Sequence, residues 1–360
     1  MTRRFTAWVR YGDEQIRESE IRFAAEHCRV AILQPWETVA AAQLKAMEPA
    51  VTVLAYKCLS STRSFEPGPV RSSGVGFGEA EKIGEDMFAH REGSAGKTRI
   101  EWNGYTGHWQ MAVWNQRYRD CWIRNVVREI SVGPFDGVMA DNDVFEDYYG
   151  ILPLEGGYGM PEVREALDEF ITQAGAALNA VDKILVPNIA ESRRESGRWD
   201  RHARFGGGFE EVWLAASANE PFPAEVCHAQ MSQLNGPGLS IMRTAADETN
   251  ERDRFLTALA AGWIFSGGGD FAVTATDHDS YDGAPWQPEA DWDLGAPVSG
   301  VEGECGCWSR TFEDGYAAVN LTSTHHVDLT FPPEFNDGAT VRLPPQQCIF
   351  MKKPLDNESS

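Results

Sequence analysis

The chain is poor in positive charge. Lys and Arg number 32 against 54 Asp and Glu, a formal net charge of -22 over 360 residues. Such a field repels nucleic acid and anionic membrane, so neither is expected as a partner. Long apolar runs are also missing. The longest, Phe255 to Phe265, is too short to span a bilayer. The first residues, Met-Thr-Arg-Arg-Phe-Thr-Ala-Trp, hold no apolar segment of signal-peptide length, so a cytoplasmic location is expected. Cysteine is sparse and unpatterned. There are seven, an odd number, with no CxxC, which argues against a zinc ribbon and a full disulfide framework. Cys28, Cys58 and Cys121 sit among apolar neighbours and read as buried thiols, and Cys305-Gly306-Cys307 reads as a loop with unpaired thiols. No G-x-G-x-x-G follows the first strand-like run and no P-loop occurs, so the usual nucleotide signals are absent. No G-x-S-x-G elbow is present. The first strand-like run ends Val9-Arg10-Tyr11, without the His-x-His of a metal-dependent amidohydrolase, and His325-His326 reads as an exposed pair. Neither a metal nor a cofactor is expected.

What is present is a core and a rhythm. Hydrophobic residues make up 42% of the chain, enough for one large domain. Phe135 to Asp143 is the most informative stretch. It has no solvated face and ends abruptly in Asp141-Asn142-Asp143, as a parallel strand buried on both faces would. Similar runs recur at 5–10, 29–33, 51–56, 184–188, 207–213, 239–244 and 271–276. Helix-like segments separate several of them, at 13–26, 38–48, 115–130, 161–180 and 251–265. Eight such strands predict an α/β fold, a (β/α)8 TIM barrel over residues 1–298; an open doubly wound sheet is the alternative. After Gly300 the pattern turns to alternating apolar and polar residues with turns between them. That predicts a small C-terminal antiparallel β-domain, sandwich-like, over 299–354, with a frayed polar tail at 355–360.

In a parallel barrel, the C-terminal strand ends converge on one face. Reading those ends yields Glu37, Lys57, Asp141, Asn142, Asp143, Asn188, Glu210 or Glu211, Arg243, Asp277 and His278. Carboxylates dominate, and two carboxylates across a sugar ring are the equipment of glycoside hydrolysis. Asp141 and a Glu of the sixth strand are the expected catalytic pair. Strand alternation lets only one of Glu210 and Glu211 face the axis, and Glu211 is preferred. Asn142, Asn188 and Arg243 are expected to position substrate hydroxyls. Asp277-His278-Asp279 reads as a cleft-lining loop rather than a cation site. The Gly-, Ser- and aromatic-rich insertion at 59–112, with Trp102, Tyr105 and His108, reads as a wall over the cleft. The chain has twelve Trp; most are expected in the core, with Trp36, Trp109, Trp114, Trp286 and Trp292 as stacking platforms for sugar. Two other classes stay open. One is a carbohydrate-binding barrel without activity. The other is a barrel lyase or isomerase with Lys57 or His278 as base.

Asp136-Gly137-Val138-x-x-Asp141-Asn142, a fifth strand ending Pro187-Asn188 and a Glu-bearing sixth strand together resemble the barrels of hypothetical glycosyl hydrolase family 15. They are also similar to the endo-α-1,4-polygalactosaminidase family, glycoside hydrolase family 114. The resemblance runs from about residue 5 to 300 and includes the C-terminal β-domain. It implies a TIM barrel with an Asp after the fourth strand and a Glu after the sixth as catalytic pair. Carried onto this chain, Asp141 resembles the nucleophile and Glu211, or Glu210, the acid/base. Ala140 and the doubled Glu depart from the polygalactosaminidase pattern, so the implied partner is a carbohydrate of unspecified identity.

Overall fold

The computed structural model describes residues 4–12, 14–93, 98–277 and 285–353. His278 and the tail at 355–360 lie outside these residues. Eight parallel strands close into a barrel. In chain order they are β1 (Thr6–Val9), β2 (Cys28–Leu33), β3 (Thr52–Cys58), β6 (Gly137–Asp143), β7 (Ile184–Ile189), β8 (Gly207–Glu210), β11 (Leu239–Ala245) and β12 (Phe271–Thr276). Two hairpins lie between them: β4 (Ser61–Arg63) with β5 (His108–Gln110), and β9 (Ala215–Ser217) with β10 (Glu220–Pro221). The helices are α1 (Glu18–His27), α2 (Thr38–Met47), α3 (Phe77–Ile83), α4 (Gln116–Ile130), α5 (Met160–Asn179), α6 (Arg198–Ala203), α7 (Ala224–Gln230) and α8 (Glu251–Phe265).

The chain divides into two compact units. One comprises Arg10–Ala25 and Ala31–Glu210; the other comprises Met1–Val9, Glu26–Val30 and Glu211–Ser360. In the first, β3 pairs with β6 and β6 with β7, all in parallel. The β6 strand is buried nearly throughout, as its continuous apolar run requires. Asp136 fixes its start, its carboxylate accepting from Val53 N (2.8 Å) and Lys45 Nζ (2.9 Å). Gly137 follows because a Cβ there would run into the backbone carbonyl of Ile184 on β7. The insertion of 59–112 folds as the β4–β5 hairpin with α3 and carries a run of ring contacts around Trp102.

In the second unit α8 lies against β12 and against the C-terminal sheet. Residues 254–264 of this helix are buried all round, which is why the longest apolar run is a core helix. Gly262 lets it approach β12, since a Cβ would collide with the Phe271 ring. The C-terminal region forms a four-stranded sheet from β13 (Glu302–Glu304), β14 (Cys307–Phe312), β15 (Gly315–Asn320) and β18 (Gln347–Lys352). A β16–β17 hairpin (Val327–Thr330, Thr340–Leu343) accompanies it. Tyr316, Ala318, Phe331 and Phe335 form its small core. Among the described residues no helix is long and apolar enough to cross a membrane.

Candidate active site

At the end of β6 the register slips between Ala140 and Asp143, and Asn142 takes a left-handed conformation (φ 67°). Asn tolerates that region better than most residues. The turn wraps donors around Asp141. Asn142 N and Asn188 Nδ2 donate to Oδ1 at 2.8 and 2.9 Å, and Tyr56 Oη and Asn142 Nδ2 donate to Oδ2 at 2.6 and 2.9 Å. Four donors on one carboxylate suit the ionised form, which only accepts. Tyr56 is itself buried beside this charge. Burial first, and the neighbouring Asp141 second, push its phenol well above the usual tyrosine range, so it stays a donor.

The cradle has its own supports. Arg63 Nη2 donates to Tyr56 Oη at 3.1 Å, and its guanidinium lies 5.3 Å from the Tyr56 ring centroid. Glu66 pairs with Arg63 (3.4 Å). Burial opposes ionisation of Glu66, but the Ser72 hydroxyl, Arg63 and Ser73 overcome this and hold its carboxyl below the usual range. Tyr149 donates to Asn142 Oδ1, and its ring stacks on Trp102 at 3.8 Å. Trp102 in turn donates to Gln110 at 2.8 Å. The insertion therefore reaches Asp141 through Tyr149 and Asn142.

The sequence reading did not single out Tyr56, Arg63 or Tyr149. Strand alternation was the available signal for Tyr56. Cys58 accepts from Asn142 Nδ2 at 3.2 Å, so positions 56 and 58 share the Asp141 side and position 57 does not. Lys57 turns the other way, 1% exposed, to Glu129 of α4 (2.8 Å) and the Arg71 carbonyl. Burial lowers its basicity while Glu129 opposes the drop. Lys57 is thus not brought to Asp141. Asn142 and Asn188 do join it, but their amides hold Asp141 itself. Asp143 departs: fully buried, it binds Arg198 (2.6 Å) and His202 (2.5 Å) of α6. Glu37 accepts from Gln34 N at 3.0 Å in the turn ahead of α2.

The β8 strand stops at Glu210, earlier than the expected 207–213, and Glu211 begins a bend. Phe209 pairs with Asn188, and a Cβ at Gly208 would strike Trp199 of α6. Alternation therefore sets Glu210, 1% exposed, on the α6 side, while Glu211, one residue beyond the strand, is half-buried. In the second unit Arg243 donates to Thr276 Oγ1 and O and to the Glu211 carbonyl, at 3.1, 2.7 and 3.2 Å. Asp277 is exposed.

The expected aromatic platforms divide. Trp36 is 41% exposed on the loop after β2. Trp109 sits in β5 beside Phe77, and Trp114 stacks on Tyr158 at 4.6 Å. Trp286 packs on His27, at the start rather than the end of β2, which is the opposite face from the strand ends. Trp292 lies against Phe350 of β18, beneath Lys352. For these last two the platform expectation gives way to packing. Among the described residues no group of three or more His, Cys, Asp or Glu could hold a metal ion.

A closed parallel barrel with a carboxylate held by donors at a strand end belongs to the TIM-barrel type of enzyme. The fold is shared with solved structures. A debranching enzyme of Nostoc punctiforme, soaked with acarbose, has a TM-score of 0.52 at 10% identity, covering 93% of this chain and 88% of its own. An α-amylase of Geobacillus thermoleovorans, complexed with acarbose, has a TM-score of 0.50 at 10% identity, covering 97% and 96%. Ega3 of Aspergillus fumigatus, complexed with galactosamine, has a TM-score of 0.44 at 10% identity, covering 79% and 94%. No curated protein matches. Residues 45–316 match the model of hypothetical glycosyl hydrolase family 15, and the chain belongs to that family. It is a glycosidase.

Proposed function

We propose that the protein cleaves a glycosidic bond in an oligo- or polysaccharide with net retention, Asp141 acting as nucleophile and Glu211 as acid/base. The observation that carries this reading is the cradle of four donors around Asp141. Its carboxylate attacks the anomeric carbon as Glu211 protonates the departing glycosidic oxygen. The glycosyl–Asp141 ester then yields to water, whose proton Glu211 takes up. For Glu211 over Glu210 the support is partial exposure, which lets a group exchange protons with water, whereas Glu210 is 1% exposed. Residues 1–298 are proposed as the catalytic domain and 299–354 as an accessory β-domain. The neighbours' acarbose ligands support a carbohydrate substrate.

The test is a screen of aryl glycosides and natural polysaccharides, with product anomers followed by NMR. Retention is the expected outcome, and Asp141→Asn should abolish turnover. Full activity in that variant would overturn the assignment, and an inverted product would replace the ester with direct attack by water.

A further inference from the structure

We infer that the glycan path continues from Asp141 across Trp36, through two clefts that share this indole. On this view the protein holds at least two pyranose units to one side of the bond it cleaves, the nearer ones uncharged. The inference deepens the proposed hydrolase reading and rests on it. Trp36 lies three residues past the end of β2 and contributes to the walls of both clefts. The first, of about 540 Å3, is lined by Tyr11, Gln34, Arg63, Phe65 and Glu66 as well as Trp36. The second, of about 420 Å3, is lined by Glu14, Ile21, Glu37 and Gln43 beyond the same indole. Each falls within the roughly 300–1,000 Å3 of pockets that enclose a small organic ligand.

The first cleft is linked to the proposed nucleophile through Tyr56. Its Tyr11 ring packs edge-on against Tyr56 at 4.9 Å, its Arg63 bonds the Tyr56 hydroxyl, and that hydroxyl donates to Asp141. Two aromatics are left uncovered on this cleft, Trp36 at 41% and Phe65 at 60% exposure. Their flat faces match the C–H faces of pyranose rings, and removing such apolar area from water favours binding. The floor supplies polarity. Gln34 is 95% buried (5% exposed), its Nε2 donates to Tyr11 O at 2.9 Å, and its Oε1 has no partner among the described residues. An orphan buried acceptor is relieved by a donor such as a sugar hydroxyl or a water it holds. Arg63 and Glu66 form an ion pair whose charges offset, so the cleft suits neutral rather than charged units.

The test uses the full chain carrying Asp141→Asn, titrated with oligosaccharides one to six units long. The series are glucose, xylose, galactose, N-acetylglucosamine and galactosamine, read by tryptophan fluorescence and calorimetry. For one neutral series, affinity should rise with length to at least three units. Trp36→Ala and Phe65→Ala, added separately, should each weaken the longest member about tenfold, the loss of a good aromatic anchor. Both side chains are exposed, and circular dichroism verifies folding. Affinity independent of length, indifference to both substitutions, or binding confined to galactosamine oligomers would overturn the inference. The two readings fail separately. Length-dependent, Trp36-dependent binding with no hydrolysis by the parent chain defeats the hydrolase and keeps the groove. Hydrolysis of long chains unaffected by Trp36→Ala defeats the groove alone.

Discussion

At the scale of single residues the account turns on hydrogen bonds to one carboxylate. Tyr56→Phe removes a 2.6 Å donor from Asp141 and, with it, the oxygen that accepts from Arg63 Nη2 at 3.1 Å. A hydrogen bond to a charged group contributes about 1.5–3 kcal/mol, so kcat should fall roughly ten- to a hundredfold. Losing a donor also disfavours the ionised carboxylate, so the acid limb of the kcat/KM profile should move to higher pH. An unmoved acid limb would show that Tyr56 serves packing alone. Lys57→Met makes the opposite case. Its ammonium belongs to Glu129 and Arg71, so kcat/KM should remain within about twofold of the parent, judged against the modest effects of volume-conserving swaps. A collapse of activity without unfolding would revive a lysine base. These two neighbours also show what was legible beforehand. The strand end at 56–58 could be read from the apolar run. Which of its side chains faced inward could not, because a buried strand carries no solvated face to set the parity.

At the scale of elements, β6 joins structure to chemistry. Asp136, just ahead of the strand, and Gly137, its first residue, anchor the strand start, and its last two positions make the turn that holds Asp141. Gly137→Ala should lower stability by about 1–3 kcal/mol, visible as a reduced Tm, because backbone rather than a mobile side chain must yield. Beyond Asn142 the strand is tied to α6 through Asp143, Arg198 and His202. Burial alone would lower the basicity of His202, but Asp143 and Asp168 outweigh it and hold its pKa up at about 9 against an ordinary 6.5. A raised folded-state value stabilises fully below about pH 6.5, and that contribution is lost as pH climbs through 9. Thermal melts should therefore decline over this window, and His202→Gln should flatten the decline. A melt series with the same slope in both proteins would remove the network from the account. No pattern in the sequence marked α6 as the partner of Asp143, since six helical residues with three basic side chains read equally as a loop.

At the scale of the whole molecule, periodic features were legible, the antiparallel strands of the C-terminal region among them, and short inserted ones were not. Seven of the eight barrel strands stand within about two residues of their expected bounds, because buried parallel strands read as short apolar runs. The β8 strand broke early, at Glu210, where the chain bends before Trp213 N bonds the Arg243 carbonyl. The β4–β5 hairpin went unseen because three-residue strands leave no periodic trace. Trp286 and Trp292 misled because position after a strand does not say which face a long connection returns to. The central claim is that Asp141 forms a covalent bond to sugar. Mass spectrometry of the protein incubated with a 2-fluoro glycoside of the substrate sugar tests it most directly. The account predicts one added glycosyl unit, carried by the peptide that contains Asp141 and absent in Asp141→Asn. An adduct on another carboxylate, or a substrate-active enzyme that never accumulates one and yields the inverted anomer, would contradict it.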